Sequence, residues 1–241
     1  MDKRKRCCIF IVFVIAVLAA GLIIAALATT FWIEAYPYRN INETIKLEAV
    51  KVSGKYDKDK FQGTMHFGLF YGKKQLNYGF GSEGREKEMW IAEGIQEFGL
   101  FDFGLWVSTL IFAALAIAWA IVVMAFTILN LNTRPIETIT GPMGLYIWNT
   151  LAGICSLISV ILFVVMNEKY IKVNVLTQAE KDNYWVSTDR TYLSYSFWFM
   201  VCSIPCFFLN LGFVYASGTR LRPIKYNSSM NKAPMDGVMM Y

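Results

Sequence analysis

The sequence predicts an all-α membrane protein: a bundle of four transmembrane helices carrying a small antiparallel β-sheet on its outer side. Three observations predict it. No Asp, Glu, Lys or Arg occurs between Arg6 and Glu34, Asp102 and Arg134, Glu137 and Glu168, or Arg190 and Arg220. A helix needs roughly 20 apolar residues to cross a hydrocarbon core of ~30 Å, and each gap exceeds that. The chain is 56% hydrophobic over 241 residues, so four spans leave little for a separate soluble domain. Between the first two gaps, short alternating and aromatic runs are broken by glycines, the pattern of strands and tight turns.

The spans are placed at 9–32, 104–131, 142–166 and 194–217, in a single tetraspan domain. The connections 33–103 and 167–193 then lie on one side. The N-terminus, the short connection 132–140 and the tail 218–241 lie on the other. Those three segments hold nine Lys/Arg against three Asp/Glu, whereas the two longer loops are near balance. An excess of basic residues in short flanks marks the cytoplasmic side, so both termini are placed in the cytosol of a plasma-membrane protein. The net charge of +5 is thereby explained by position, and it argues for no nucleic-acid partner. The basic start and apolar run resemble a signal peptide, but Cys7 to Ile33 far exceeds a usual h-region, which favours an uncleaved span.

The first span carries small residues four apart, Ala16/Ala20 and Gly21/Ala25, which would allow close helix approach in lipid. In the large loop, Ile45–Val52, Met65–Tyr71 and Gln75–Phe80 read as strands. Lys87–Phe98 reads as a short amphipathic helix, with Ile91, Ile95 and Phe98 at helical spacing. Arg134-Pro135 and Gly141-Pro142 punctuate the short connection, and the tail is polar. Pro205 should kink the fourth span.

Several residues suggest modification or contact. Cys7 and Cys8, beside the basic cluster Lys3 to Arg6, are candidates for S-palmitoylation; the alternative is a pair of tolerated small residues. The same cluster can touch anionic lipid. Asn42-Glu43-Thr44 is an N-glycosylation sequon on the outer side, whereas Asn227-Ser228-Ser229 lies inside and should stay bare. Met239 and Tyr241, at the third-last and last positions, suit strand addition to a PDZ edge. No catalytic set, cofactor motif or metal site is visible. His66 is the sole histidine and reads as a sheet residue, and no span contains a charge of the kind that marks a proton relay. Neither outer loop contains Cys, so the sheet has no disulfide.

The chain resembles the clarins, small glycoproteins of the claudin-like tetraspan superfamily. The resemblance rests on fragments in order: Phe31-Trp32-Ile33; Asp59-Lys60-Phe61-Gln62-Gly63 leading to Phe67-Gly68-Leu69-Phe70-Tyr71-Gly72; and Gly141-Pro142-Met143-Gly144-Leu145-Tyr146-Ile147-Trp148-Asn149. Ser196-Phe197-Trp198 and the closing Met-Tyr also fit. The segment from Gly141 to Asn149 and the tail from Ala233 to Gly237 look most like the third vertebrate clarin. Claudins carry Gly-Leu-Trp-Cys and a second cysteine in the large loop. Here those cysteines are missing, and Gly104-Leu105-Trp106 begins the second span instead, so no disulfide carries over.

The resemblance implies a non-enzymatic organiser of plasma-membrane complexes, associated with sensory hair cells and hearing. It would bind lipids and other membrane proteins laterally, with PDZ or actin-linked proteins as further partners. Its contact residues would come from the motif positions Trp32, Phe67, Gly68, Leu69, Phe70, Gly72, Gly141, Pro142, Trp148 and Asn149. A claudin-type adhesion or barrier protein and an auxiliary channel subunit are the alternatives. A transporter ranks last, since no span offers a charge or a paired broken helix.

Overall fold

The computed structural model describes residues 3–40, 61–78, 86–99, 101–132 and 141–217. The strand expected over 45–52, both sequons (Asn42 and Asn227), and Met239 and Tyr241 lie outside those residues.

Four helices among the described residues are long and apolar enough to cross a membrane. They are α1 (Lys3–Ala28), α3 (Phe103–Asn132), α4 (Pro142–Met166, continued by a π-helical turn Asn167–Ile171) and α6 (Tyr195–Ala216). α1 packs on α3 and α6, and α4 packs on α3 and α6, which closes a four-membered ring. The first span ends at Ala28, short of the expected residue 32. The chain leaves the helix there because Thr29 and Trp32 take over its terminal carbonyls. Thr29 Oγ1 donates to Ala25 O at 2.7 Å, and the Trp32 indole Nε1 donates to Ala26 O at 2.6 Å. Helix ends leave such carbonyls without partners, and a buried end must satisfy them.

The buried positions follow one rule on all four helices. The row is Ile9, Val12, Ala16, Ala19, Ile23 and Ala26 on α1, with Ala20 buried beside it, and Thr109, Ala113, Ala116, Ala120, Val123, Thr127 and Asn130 on α3. On α4 they include Leu145, Asn149, Ala152, Ser156, Ser159, Phe163 and Met166; on α6, Ser196, Met200, Ser203, Phe207, Asn210 and Val214. The steps alternate between three and four residues. That is the 3.5-residue period of helices that supercoil left-handedly with interdigitating side chains. Of the two small pairs expected to pack, Ala16 and Ala20 are buried, but Gly21 faces outward with open space around it.

The seam is graded from end to end. Phe163, Phe197 and Trp32 fill the sheet end, alanines line the middle, and Val12, Leu145 and Val214 form a second cluster at the far end. Polar side chains cross it in pairs. Ser159 donates to Thr109 O at 2.9 Å, Ser156 and Ser203 hydroxyls meet at 2.7 Å, and Asn210 Nδ2 donates to Asn149 Oδ1 at 3.0 Å. In lipid, where apolar contact is cheap everywhere, such bonds choose which helix faces which.

Both long connections contribute to one antiparallel sheet of order β5-β4-β3-β1-β7. Its strands are β1 (Ile33–Ala35), β3 (Gly63–Phe67), β4 (Tyr71–Leu76), β5 (Lys87–Trp90) and β7 (Thr191–Leu193). A second ribbon pairs β2 (Tyr38–Arg39) with β6 (Trp185–Val186). The expected helix over 87–98 is half right: Lys87–Trp90 is a strand paired with β4, and only Ile91–Phe98 (α2) is helical, ending on Gly99 at φ 59°. The strand expected over 75–80 begins earlier, at Tyr71, because residues 68–70 form the turn that separates it from β3. The short helix α5 (Gln178–Asp182) is closed by a capping box between Thr177 and Glu180.

Candidate functional site at the junction of sheet and bundle

Strand alternation sorts the sheet into two faces. Ile33, Ala35, Met65, Phe67, Gly72 and Leu76 point inward; Glu34, Thr64, His66, Lys73 and Glu88 line the outward face. The outward row mixes charges and rings: Lys73 reaches Glu86 at 3.2 Å, Glu34 accepts from Tyr36 and Ser194 hydroxyls at 3.0 and 2.7 Å, and Tyr192 and Trp90 stand exposed on the same face. His66 belongs to it as a sheet residue, its ring stacked on Phe31 with centroids 4.2 Å apart.

The segment Phe67–Gly72 is where this sheet meets the helices. Gly68 N–H donates to Tyr71 O at 2.9 Å, closing a turn that sends Leu69 down into the core and Phe70 outward. The turn sits directly on the end of α1, since a Cβ at Gly68 would lie 2.6 Å from Thr29 O. Gly72 seats as closely, since a Cβ added there would lie 2.5 Å from the Phe67 Cβ. Trp106, at the start of α3, donates its indole N–H to Leu69 O at 2.8 Å, tying the turn to a second helix. Trp32 lies beneath, edge-on to Phe163 at 4.5 Å. The Thr29 and Ser196 hydroxyls meet at 2.6 Å and join α1 to α6.

Of the motif positions, Trp32, Phe67, Gly68, Leu69 and Gly72 therefore form the joint itself and are buried; Phe70 presents its side chain, at 46% exposure. Gly141, Trp148 and Asn149 lie at the opposite end of the bundle. There Trp148 stacks on Trp119 at 5.1 Å, and Asn149 is fully buried against Asn210. The expected contact surface thus splits into two internal joints and one outward aromatic residue. Cys7 is exposed and Cys8 half-buried at the start of α1, and all five cysteines are free. Among the described residues no group of His, Cys, Asp or Glu could hold a metal ion.

A side groove of about 400 Å³ opens beneath Phe70, between α1 and α3, lined by Ile24, Leu27, Ala28, Thr29, Thr30, Tyr71 and Ile117. Sequence reading missed it, because Ile24 and Ile117 carry no signal apart from neighbours equally apolar.

On the inner face of the sheet one charge breaks the apolar pattern. Lys74 points inward between Gly72 and Leu76 and is paired with Glu180 of the second connection, both side chains nearly buried (11% and 10% exposed). Tyr78 packs edge-on against Trp185 at 5.4 Å. Burial pushes the Tyr78 phenol up from its ordinary pKa and Glu180 pushes it further, while Arg39 pulls it back. Those charges therefore share one neighbourhood.

A ring of four apolar antiparallel helices, capped at one end by a sheet drawn from both connections, defines a multi-pass tetraspan membrane protein of claudin-like fold. A family model described as Clarin-2-like matches residues 4–214, and the chain belongs to the clarin family. It is 31% identical to Clarin-2 of Homo sapiens over 172 residues, covering 69% of this chain and 70% of the relative. It is 25% identical to Clarin-1 of Mus musculus over 213 residues, with 87% and 86% covered. With Clarin-3 of Homo sapiens it shares 24% over 181 residues, with 72% and 76% covered.

Proposed function

We propose that this clarin organises plasma-membrane complexes by lateral contact, receiving a transmembrane helix of another membrane protein at the groove between α1 and α3. One observation carries the reading. The apolar side chains beside the joint, Phe70 and the groove beneath it, open sideways at the level of the spans, whereas the outward face of the sheet interleaves the charges of Glu34, Lys73 and Glu88 with the exposed rings of Tyr192 and Trp90. A surface built to meet an opposing cell would carry a continuous apolar patch on that outward face; here the rings on it are interrupted by charges, and the continuous apolar groove sits at the side. The reading assigns the chain no enzymatic role.

In this reading the sheet lies outside the cell and both termini lie in the cytosol. The basic excess of the segments at the far end of the bundle supports it, and so does the sequon at Asn42 on the sheet side. Cys7 and Cys8 stand at the cytosolic start of α1, open to acylation, and Met239 and Tyr241 offer a PDZ ligand. The hair-cell role implied by the resemblance makes hair-bundle membrane the place to look for the complex.

The test is photo-crosslinking from a probe amino acid at position 24 or 117 in intact cells, followed by mass spectrometry. Recovery of a membrane protein that is lost in Phe70→Ala supports lateral binding; crosslinks to lipid alone reject it. A glycosidase-sensitive mobility shift abolished by Asn42→Gln checks the orientation.

A further inference from the structure

The half of α6 that lies farther from the sheet carries a groove of about 540 Å³, lined by Pro205, Phe208, Leu209, Gly212, Phe213 and Ala216. Residues four and seven apart share one side of a helix, so Pro205, Gly212 and Ala216 form a floor that runs along the axis. Phe208 borders that floor on one side, and Leu209 and Phe213 border it on the other. The depth comes from what the floor lacks: Gly212 has no side chain, and nothing lies within 4 Å of where a Cβ would stand. Phe207, Asn210 and Val214 are buried on the opposite side of α6, toward the bundle. The groove therefore looks away from the protein, along a helix long and apolar enough to cross a membrane.

Its length and place match one lipid monolayer. The span from Pro205 to Ala216 measures about 16 Å at 1.5 Å per residue. A hydrocarbon core is ~30 Å thick, so one monolayer of it is about 15 Å deep. The groove begins near the middle of α6 and finishes at its last residue, which carries it from the bilayer centre to one surface. At that surface stands Tyr215, three residues after Gly212 and next to Ala216, and it is 68% exposed. A tyrosine there keeps its ring at the hydrocarbon edge and its hydroxyl at the headgroups. Leu211, Tyr215 and Arg220 also follow the Leu/Val, Tyr, Lys/Arg spacing proposed for sterol contact. That spacing recurs in many spans by chance; here it falls on a groove one monolayer long.

We infer that this groove holds a sterol, its fused rings laid on the floor of α6 and its hydroxyl beside Tyr215. A sterol is a flat, nearly rigid body with one small polar group at one end. A flexible acyl chain loses conformational freedom on settling into a shallow groove, whereas fused rings have little to lose. Every lining side chain is apolar, so a hydrogen bond is on offer only at the outer end, where the sterol hydroxyl sits. The organiser reading concerns the groove between α1 and α3; this site on α6 stands or falls without it.

The experiment uses the full-length protein in phosphatidylcholine nanodiscs that contain a diazirine-bearing cholesterol analogue. Phosphatidylcholine with a diazirine in its acyl tail is the comparison probe. After irradiation, peptide mass spectrometry maps the label. Sterol label should concentrate on residues 205–216 and fall about fivefold when unlabelled cholesterol is added in excess. Gly212→Leu fills the floor and should cut that competed label about tenfold. The added side chain enters open space, so the fold is kept. Tyr215→Phe retains the ring and should cut the label about threefold, the loss of one hydrogen bond. Gly21→Leu, at the equally open glycine of α1, should leave it unchanged. Label on α6 that unlabelled cholesterol does not compete, or undiminished label in Gly212→Leu, overturns the site. Equal competed labelling of 205–216 by the phospholipid probe overturns the assignment to a sterol.

Discussion

Gly68 shows how much a single hydrogen atom decides at the joint. A methyl group there would meet the backbone oxygen of Thr29 at 2.6 Å, and a carbonyl cannot swing aside as a flexible side chain can. Gly68→Ala should therefore cost about 1–3 kcal/mol, the range for overpacking a well-filled core. Gly21→Ala, with nothing within 4 Å, should leave the melting temperature of the purified protein within error. Equal melting of the two variants would rule out the close seating of the turn on α1. Tyr71 provides a pH-dependent probe of the same region. Burial and a hydrogen bond to Glu88 push its phenol up from 10.0 to about 12. A group whose native pKa exceeds its unfolded value stabilises the fold fully below the lower of the two. That contribution is lost as pH rises from 10 to about 12. Tyr71→Phe should flatten the alkaline fall in thermal stability over that window, because the contribution present in the wild type below pH 10 is already missing from the variant.

At the scale of elements, the four helices were legible from charge-free runs alone, because lipid excludes charge from every face. Which face turns inward was not legible. The lipid-facing side chains are as apolar as the buried ones, so the 3.5-residue step of Thr109, Ala113, Ala116 and Ala120 is hidden among leucines and isoleucines. The polar members of that step were the available signal. Asn130, Asn149 and Asn210 stand out as amides within otherwise apolar, charge-free runs, and all three are buried. The bond between Asn149 and Asn210 joins α4 to α6. A double-mutant cycle with Asn149→Leu and Asn210→Leu should give a coupling of about 0.6–1.7 kcal/mol, the range for interhelical hydrogen bonds in membranes. No coupling would mean that the two amides act independently. The strands were harder to read. β1 and β7 are three residues each, too short to show alternation, and the helical spacing of Ile91, Ile95 and Phe98 masked the strand preceding them.

For the whole molecule, the question is what holds a disulfide-free cap together. The answer is contact between its two connections: β1 with β7, β2 with β6, and Lys74 with Glu180. Removing one partner of a nearly buried ion pair leaves the other charge uncompensated and costs about 3–5 kcal/mol, whereas replacing both by apolar residues is close to neutral. Glu180→Gln should accordingly lower the melting temperature sharply. Lys74→Met combined with Glu180→Leu should recover most of the loss. Recovery absent from the double variant would show that the carboxylate serves the capping box of α5 more than it serves Lys74. Lys74 was legible as a residue but not as a partner, since its pairing spans two loops that only the folded sheet brings together.

The backbone also fixes which parts of the bundle can slide. Ser194 N–H donates to Trp32 O at 3.0 Å and Ser196 N–H to Phe31 O at 3.1 Å, while β7 runs straight into α6 and β1 follows α1 after four residues. A ratchet of α6 past α1 by one helical turn, about 5.4 Å, would tear all of those bonds and shift the strand register with them. The α1–α6 pair therefore behaves as a fixed post. α3 and α4 are held by side chains instead, Trp106 to Leu69 O and Asn210 to Asn149, and reach the cap through the left-handed residue Gly99 and through a π-helical turn, so adjustment to a neighbour in the bilayer falls to them.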